Sequence, residues 1–135
     1  MIKGKTMALT AVERSDLKQL LDWRNNPDFR KHFREYRELN MDQQTHWFEQ
    51  KVNGDPTTVM FAVRDLQTME LVGCCGFVYV NWMQKHADLS LYIGAGDAYI
   101  DEKYAPDACR VLLNHGFKEL GLNKIWTEIY EFDHK

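Results

Sequence analysis

The sequence predicts one α/β (α+β) domain in which a mixed sheet is flanked by helices. The length of 135 residues is that of a single domain. A content of 44% hydrophobic and 27% charged residues is typical of a globular protein with a packed core. Segments with alternating apolar residues occur on both sides of segments whose apolar residues recur at helical spacing. We therefore expect one domain that spans residues 1–135.

The sequence of the first third of the chain predicts a strand and two helices. Residues 7–13 alternate apolar and polar side chains, as a short strand does. Ser15 is expected to cap a helix over residues 16–24, which ends before a proline because the residue before proline avoids helical geometry. Asn40 is expected to cap a second helix over residues 41–52, which the following Asn, Gly, Asp and Pro residues end.

The rest of the chain predicts three strands, a long helix and a final strand. The strands are expected at residues 58–65, 71–80, 87–93 and 124–130. The helix between the last two begins near Pro106 and ends before Gly121, and both residue types are typical of those positions. The order β, α, α, β, β, β, α, β predicts a sheet that is antiparallel first and then crosses over through the long helix.

Composition excludes several classes of function. A net charge of −3 and a pI near 5.9 provide no basic field of the kind that nucleic-acid binding requires. Cys74, Cys75 and Cys109 have the spacing of neither a disulfide framework nor a metal site. Since the chain has neither a signal core nor an apolar run of roughly 18 residues, we expect a cytoplasmic protein without a membrane partner.

Four short sequence motifs, in their order and spacing, indicate a family resemblance. They are WRNNP at 23–27, WF at 47–48, LVG at 71–73 and ADLSLYIG at 87–94. The chain resembles the GNAT superfamily of acetyl-CoA-dependent N-acetyltransferases, within it the branch of ribosomal-protein and amino-sugar acetyltransferases. The resemblance covers residues 7 to about 133. It implies the GNAT-like acyl-CoA N-acyltransferase fold.

The resemblance implies acetyl-CoA as co-substrate. In this family two neighbouring strands splay apart, and the pantetheine arm enters the gap as a substitute strand. The backbone of Leu91, Tyr92 and Ile93 would then bind it. The alternative, a fully paired core strand, stays open.

The loop before the long helix departs from the family pattern. Family members place glycines there, so that backbone amides at the helix start surround the pyrophosphate. Here Lys103, Tyr104, Ala105 and Pro106 occupy the corresponding positions, and Ile100 replaces the usual Gln or Arg. Two alternatives remain: a modified loop that still binds CoA, with Lys103 paired to phosphate, or a loop that has lost its ligand.

Acetyl transfer needs a base, since an amine with a pKa of about 10.4 is almost fully protonated near neutral pH. The resemblance implies Asp88 as that base, because related chains carry an acidic residue in the same setting. Tyr92 is the candidate proton donor to the departing thiolate, with Tyr130 as a second choice. The alternatives are a solvated strand carboxylate and packed aromatic rings.

Residues near the end of the first helix are the candidates for substrate binding. By the resemblance, Trp23, Arg24 and Asn25, together with Phe33, cover the acceptor cleft. The acceptor would be the primary amine of a protein N-terminus, an amino sugar or a small molecule. The alternative is a helix end with aromatic packing.

The family continues beyond the last predicted strand with a helix and two more strands. We therefore expect a domain that is incomplete at its C-terminus and that exposes a sheet edge. Three explanations stay open: a longer parent protein, strand exchange within a homodimer, or a degenerate fragment. The alternative function is a catalytically impaired GNAT-like module that binds a partner protein or its own copy through this edge.

Overall fold

A single sheet organises the computed structural model, which describes residues 1–27, 37–95 and 102–126. Its described strands, in their spatial order, are β1 (Ile2–Lys3), β2 (Met7–Ala11), β3 (Val59–Asp65), β4 (Leu71–Asn81), β5 (His86–Ile93) and β6 (Lys124–Trp126). Every neighbouring pair is antiparallel except β5 and β6, which are parallel. The predicted mixed sheet is therefore confirmed.

Three helices connect the strands of the described chain. A 3₁₀ turn over Arg14–Asp16 leads into α1 (Leu17–Arg24). Helix α2 (Met41–Trp47) continues as a π-helical turn over Phe48–Val52, and α3 (Ala105–Lys118) forms the crossover between β5 and β6. The predicted order of elements is confirmed, whereas β1 was not predicted because two residues are too short for a pattern.

The two predicted helix caps have different outcomes. Asn40 caps α2 as expected: its side chain accepts the N–H of Gln43 at 2.9 Å, and the Gln43 side chain accepts the N–H of Asn40 at 2.9 Å. The prediction for Ser15 is wrong, since this residue lies inside the 3₁₀ turn. The carboxylate of Asp16 accepts the N–H of Glu13 at 2.9 Å and closes the turn instead.

Helices cover both faces of the sheet. Leu9, Phe77 and Ile93 belong to the larger core cluster, which the buried residues of α3 complete. Leu20, Phe48 and Tyr92 belong to a second cluster on the face that α1 and α2 cover. Because side chains alternate along a strand, β5 contributes to both clusters. Its odd-numbered residues, including Ile93, face α3, and its even-numbered residues, including Tyr92, face α1.

The start of α3 is held by residues that are distant in sequence. The carboxylate of Asp107 accepts the backbone N–H groups of Lys5 at 2.7 Å and Thr6 at 2.8 Å. Burial raises the pKa of Asp107, but hydrogen bonds from Thr6, Arg110 and Lys5 outweigh this effect and leave the pKa below its usual value. The loop before α3 therefore lies next to the β1–β2 turn.

Candidate active site

At the edge of β5 that faces away from β4, alternate residues direct their backbone N–H and C=O groups outward. The N–H of Gly94 donates to the carbonyl of Val72 at 2.8 Å, just beyond the register pair Gly73 and Ile93. Since hydrogen-bonded and non-hydrogen-bonded pairs alternate in an antiparallel ladder, Tyr92 bonds to β4, while Leu91 and Ile93 turn their N–H and C=O groups away from it. Two of the three residues predicted to bind pantetheine therefore direct their amides to this edge.

Strand β6 covers only the beginning of this edge within the described residues. It pairs with β5 from His86 to Asp88, and the last of these pairs joins Asp88 and Trp126. Residues 127–135, which include Tyr130, lie outside the described residues. The predicted separation of the two strands beyond Asp88 therefore stays a prediction.

The α1 side of β5 carries Asp88, Ser90 and Tyr92. The ring of Trp23 packs edge-on against Tyr92, with centroids 6.4 Å apart and planes at 85°. Burial, and to a smaller degree the nearby thiol of Cys74, raise the pKa of Tyr92 well above its usual value. The phenol is therefore protonated at neutral pH, which is the form that a proton donor requires.

The carboxylate of Asp88 lies on the same face but far from the Tyr92 ring. Asp88 is half-buried, between Val78 of β4 and Trp126 of β6. Its side chain has no hydrogen bond or ion pair within the described chain. Four residues of strand place the Cα atoms of Asp88 and Tyr92 about 13 Å apart. A molecule that contacts both side chains directly must therefore lie along the strand.

The residues before α3 point toward the β3–β4 turn. The hydroxyl of Tyr104 donates to Oδ2 of Asp65 at 2.5 Å, and Nζ of Lys103 lies 3.8 Å from the same oxygen. Ala105 and Pro106 open α3, as the sequence predicts for Pro106, and Ala105 is buried. Ile100 lies outside the described residues. The predicted pairing of Lys103 with phosphate thus competes with its pairing to Asp65.

The predicted substrate residues mark the junction of α1 and α2. The guanidinium of Arg24 lies over the ring of Trp47, with 5.9 Å to the centroid. The side-chain amide of Asn25 donates to the carbonyl of Leu39 at 2.8 Å and accepts its N–H at 2.9 Å. The side chain of Asn25 thus fixes the chain that leads into α2. Phe33 lies outside the described residues.

A cavity of about 520 Å³ lies at this junction. Its wall includes Arg24, Leu39, Gln44 and Trp47. Sequence analysis did not select Gln44, Asp65 at the end of β3, or Asp107 at the start of α3. No local signal identifies these residues, because Asp65 and Asp107 bind segments that are distant in sequence and Gln44 is buried by helix packing.

The remaining candidates are structural. Burial raises the pKa of Cys74 to about 12 and that of Cys75 well above its usual value, so both are protonated packing residues. The ring of His115 packs edge-on against Phe61 with centroids 5.6 Å apart. Within the described ranges, no group of His, Cys, Asp and Glu residues is arranged to hold a metal ion. Among the same residues, every helix is too short or too polar to cross a bilayer.

Three solved structures of similar fold come from Vibrio cholerae. Spermidine N-acetyltransferase in complex with CoA and spermine has a TM-score of 0.80 at 22% identity, over 90% of this chain and 70% of that chain. Spermidine/spermine N-acetyltransferase SpeG with manganese ions has a TM-score of 0.74 at 20% identity, over 95% and 71%. A dodecameric spermidine N-acetyltransferase has a TM-score of 0.71 at 21% identity, over 90% and 68%. At these identities the likeness establishes the fold.

Family membership rests on the sequence. No curated protein matches the chain significantly. Residues 7–135 match the family model described as an acetyltransferase (GNAT) domain, which is nearly the whole chain. This chain belongs to the GNAT family of acetyltransferases.

Proposed function

We propose that this GNAT domain transfers the acetyl group of acetyl-CoA to the primary amine of a small molecule. The observation that best supports the proposal is the edge of β5, where Leu91 and Ile93 direct their backbone groups away from β4. An extended amide-containing arm can add to such an edge as a strand does. The amides of pantetheine have the alternating donors and acceptors that this edge requires.

The residues on the α1 side of β5 supply the proton transfers. Asp88, acting through water along β5, removes a proton from the attacking ammonium group and leaves a neutral amine. The bond between nitrogen and the acetyl carbon then forms, and the bond between that carbon and sulfur breaks. Tyr92 donates its phenolic proton to the departing sulfur, and the second proton that the nitrogen loses on becoming an amide returns the phenol to its protonated form. Acetyl-CoA supplies the activated acyl group, and every other contribution comes from the chain.

Backbone groups near the transferred acetyl group would stabilise the developing charge. An N–H aimed at the oxygen of the reacting carbonyl stabilises the transition state by about 3 kcal/mol. The N–H groups of Leu91 and Ile93, which point away from β4, are the candidates for this role. Trp23, packed on Tyr92, limits the space on the acceptor side and keeps water from the phenol.

A small-molecule amine is favoured among the possible acceptors. Three solved structures of similar fold are spermidine N-acetyltransferases, and one of them is in complex with CoA and spermine. We therefore propose a polyamine-like or related small amine as the first acceptor to test. A homodimer and a cytoplasmic location stay predictions, while a structure of similar fold from Vibrio cholerae is described as dodecameric.

Product analysis tests the proposal. The purified protein is incubated with acetyl-CoA and either spermidine, glucosamine or a peptide with a free N-terminus, and the acetylated amine is measured by mass spectrometry together with released thiol. We expect acetylated spermidine and stoichiometric thiol. Acetylation of the peptide alone would overturn the acceptor class. An absence of binding to acetyl-CoA in a thermal shift assay would overturn the function and favour the non-catalytic module.

A further inference from the structure

Three polar side chains lie on one face of β5, and Ser90 is the middle one. Asp88, Ser90 and Tyr92 alternate with apolar residues along the strand, so all three face α1. Successive members are two residues apart, which separates their Cα atoms by about 7 Å. The proposed function uses the side chains of Asp88 and Tyr92, whereas it gives no role to the hydroxyl between them.

The hydroxyl of Ser90 is free to form hydrogen bonds. Ser90 is half-buried, and within the described residues its side chain has no hydrogen-bond partner. The oxygen is nevertheless in contact with solvent, unlike the enclosed amide of Gln44. A serine hydroxyl donates one hydrogen bond and accepts two. This group can therefore bind a water molecule and an amine at the same time.

Strand β4 offers no competing polar group on this face. The residues of β4 opposite the three polar residues are Val78, Gly76 and Cys74. Burial raises the pKa of Cys74 to about 12, so its thiol stays protonated and within the core. An ordered water needs at least two polar partners. Toward Tyr92, the polar side chain next to Asp88 is therefore that of Ser90.

We infer that Ser90 relays the proton of the acceptor amine to Asp88 through one water molecule. Two hydrogen bonds of about 2.8 Å span about 5.5 Å between hydroxyl and carboxylate, which suits side chains two strand residues apart. The inference rests on the proposed acetyl transfer, which places the acetyl group beside the backbone of Leu91 and Ile93. The attacking nitrogen is then closer to Ser90 than to Asp88.

The proton transfers balance. The ammonium group gives a proton to the oxygen of Ser90 while Ser90 gives its own proton to the water. The water in turn gives a proton to the carboxylate of Asp88. The amine becomes neutral, the serine and the water return to their starting forms, and the protonated Asp88 later releases its proton to solvent.

Ser90→Ala tests the relay, with the amine that the unchanged protein acetylates. We expect kcat to fall about tenfold, less than the loss of about 10² or more for the base itself, with the same KM for acetyl-CoA. The ratio of the two kcat values should shrink as the pH approaches the amine pKa of about 10, because a neutral amine needs no relay. A ratio that is constant with pH, or an unchanged kcat at pH 7, would overturn the inference alone. An unchanged protein without activity would overturn the proposed function as well.

Two further variants separate the hydroxyl from the packing around it. Ser90→Thr keeps a hydroxyl and suits a strand, so it should retain most of the kcat. Ser15→Ala is the matched control, because Ser15 is the other serine of the chain and is exposed in the 3₁₀ turn. Its kcat should equal that of the unchanged protein. Equal losses in folded Ser90→Thr and Ser90→Ala would show that the hydroxyl is not the active group.

A crystal structure of the protein without acetyl-CoA tests the water directly. We expect an ordered water within about 3.2 Å of both the Ser90 hydroxyl and a carboxylate oxygen of Asp88. The same water should be lost in Ser90→Ala. A Ser90 hydroxyl bonded to another group of the chain, or no water shared with Asp88, would overturn the relay whatever the activity.

Discussion

The hydroxyl of Tyr104 donates a hydrogen bond to Oδ2 of Asp65 at 2.5 Å, across 39 positions of sequence. The other carboxylate oxygen of Asp65 accepts the N–H groups of Gln67 at 2.9 Å and Thr68 at 3.0 Å. One side chain thus holds both the β3–β4 turn and the residue before α3. This contact sets the direction from which the loop that we predict to bind phosphate enters the helix.

The Asp65 contact predicts a specific loss of stability in acid. Hydrogen bonds from Tyr104, Thr68 and Gln67 lower the pKa of Asp65 from 3.8 to about 2. Because this pKa is lower in the folded than in the unfolded protein, the stabilisation is fully present above about pH 4 and is lost as the pH falls through 2. We expect the melting temperature of Asp65→Asn to be lower than that of the unchanged protein at pH 7.

Thermal unfolding as a function of pH tests this prediction. The difference in melting temperature between the two proteins should shrink between about pH 4 and pH 2. Tyr104→Phe should cause part of the same loss at pH 7, and the double variant should lose less than the sum of both changes. A difference that stays constant down to pH 2 would show that the Asp65 carboxylate is not the stabilising group.

Asp88→Asn tests the proposed base. The change keeps the size of the side chain and removes its ability to accept a proton, so we expect kcat to fall by about 10² to 10⁴ while the KM for acetyl-CoA changes little. Asp22→Asn is the control, because Asp22 is exposed on α1 and pairs with Lys18 at 2.8 Å. If Asp88→Asn retains full kcat, another group accepts the proton.

Gly94→Ala tests how closely Trp23 packs on the end of β5. A Cβ at position 94 would collide with Cδ2 and Cε2 of the indole, which must then move off Tyr92. We expect a loss of about 1–3 kcal/mol in the free energy of unfolding and a changed near-ultraviolet circular dichroism. Gly121→Asn is the control, since nothing lies within 4 Å of a Cβ there and asparagine tolerates its φ of 73°. Equal, small effects at both sites would contradict the packing.

Asn25→Ala tests the junction between α1 and α2. The change removes two hydrogen bonds to the backbone of Leu39, each worth about 0.5–1.5 kcal/mol, so we expect a loss of about 1–3 kcal/mol in the free energy of unfolding. Asn53→Ala is the control, because Asn53 is exposed at the end of the π-helical turn. Chemical denaturation measures both values. A loss of less than 0.5 kcal/mol in Asn25→Ala would show that the Leu39 contact is not stabilising.

Much of the fold was predictable because it is encoded by neighbours in sequence. Asn40 and Gln43 form a capping box within one turn, and Pro106 opens α3 where a missing N–H is harmless. The alternation from Ala87 to Ile93 predicted β5 and therefore the two faces of the sheet. The prediction that Ser15 caps the helix was wrong because the carboxylate of the next residue, Asp16, accepts the N–H of Glu13 and closes the turn.

The sequence alone determined the order of the elements, the family, and that Asp88 and Tyr92 share one face of β5, since strand and helix periods depend on local sterics and hydrogen bonding. Only the tertiary structure decided that Tyr104 binds Asp65, that Asp107 holds Lys5 and Thr6, and that the amide of Gln44 is buried without a partner. These contacts join segments from 39 to 102 positions apart or depend on helix packing. No local pattern encodes them, because each partner is brought into place by the burial of residues elsewhere in the chain.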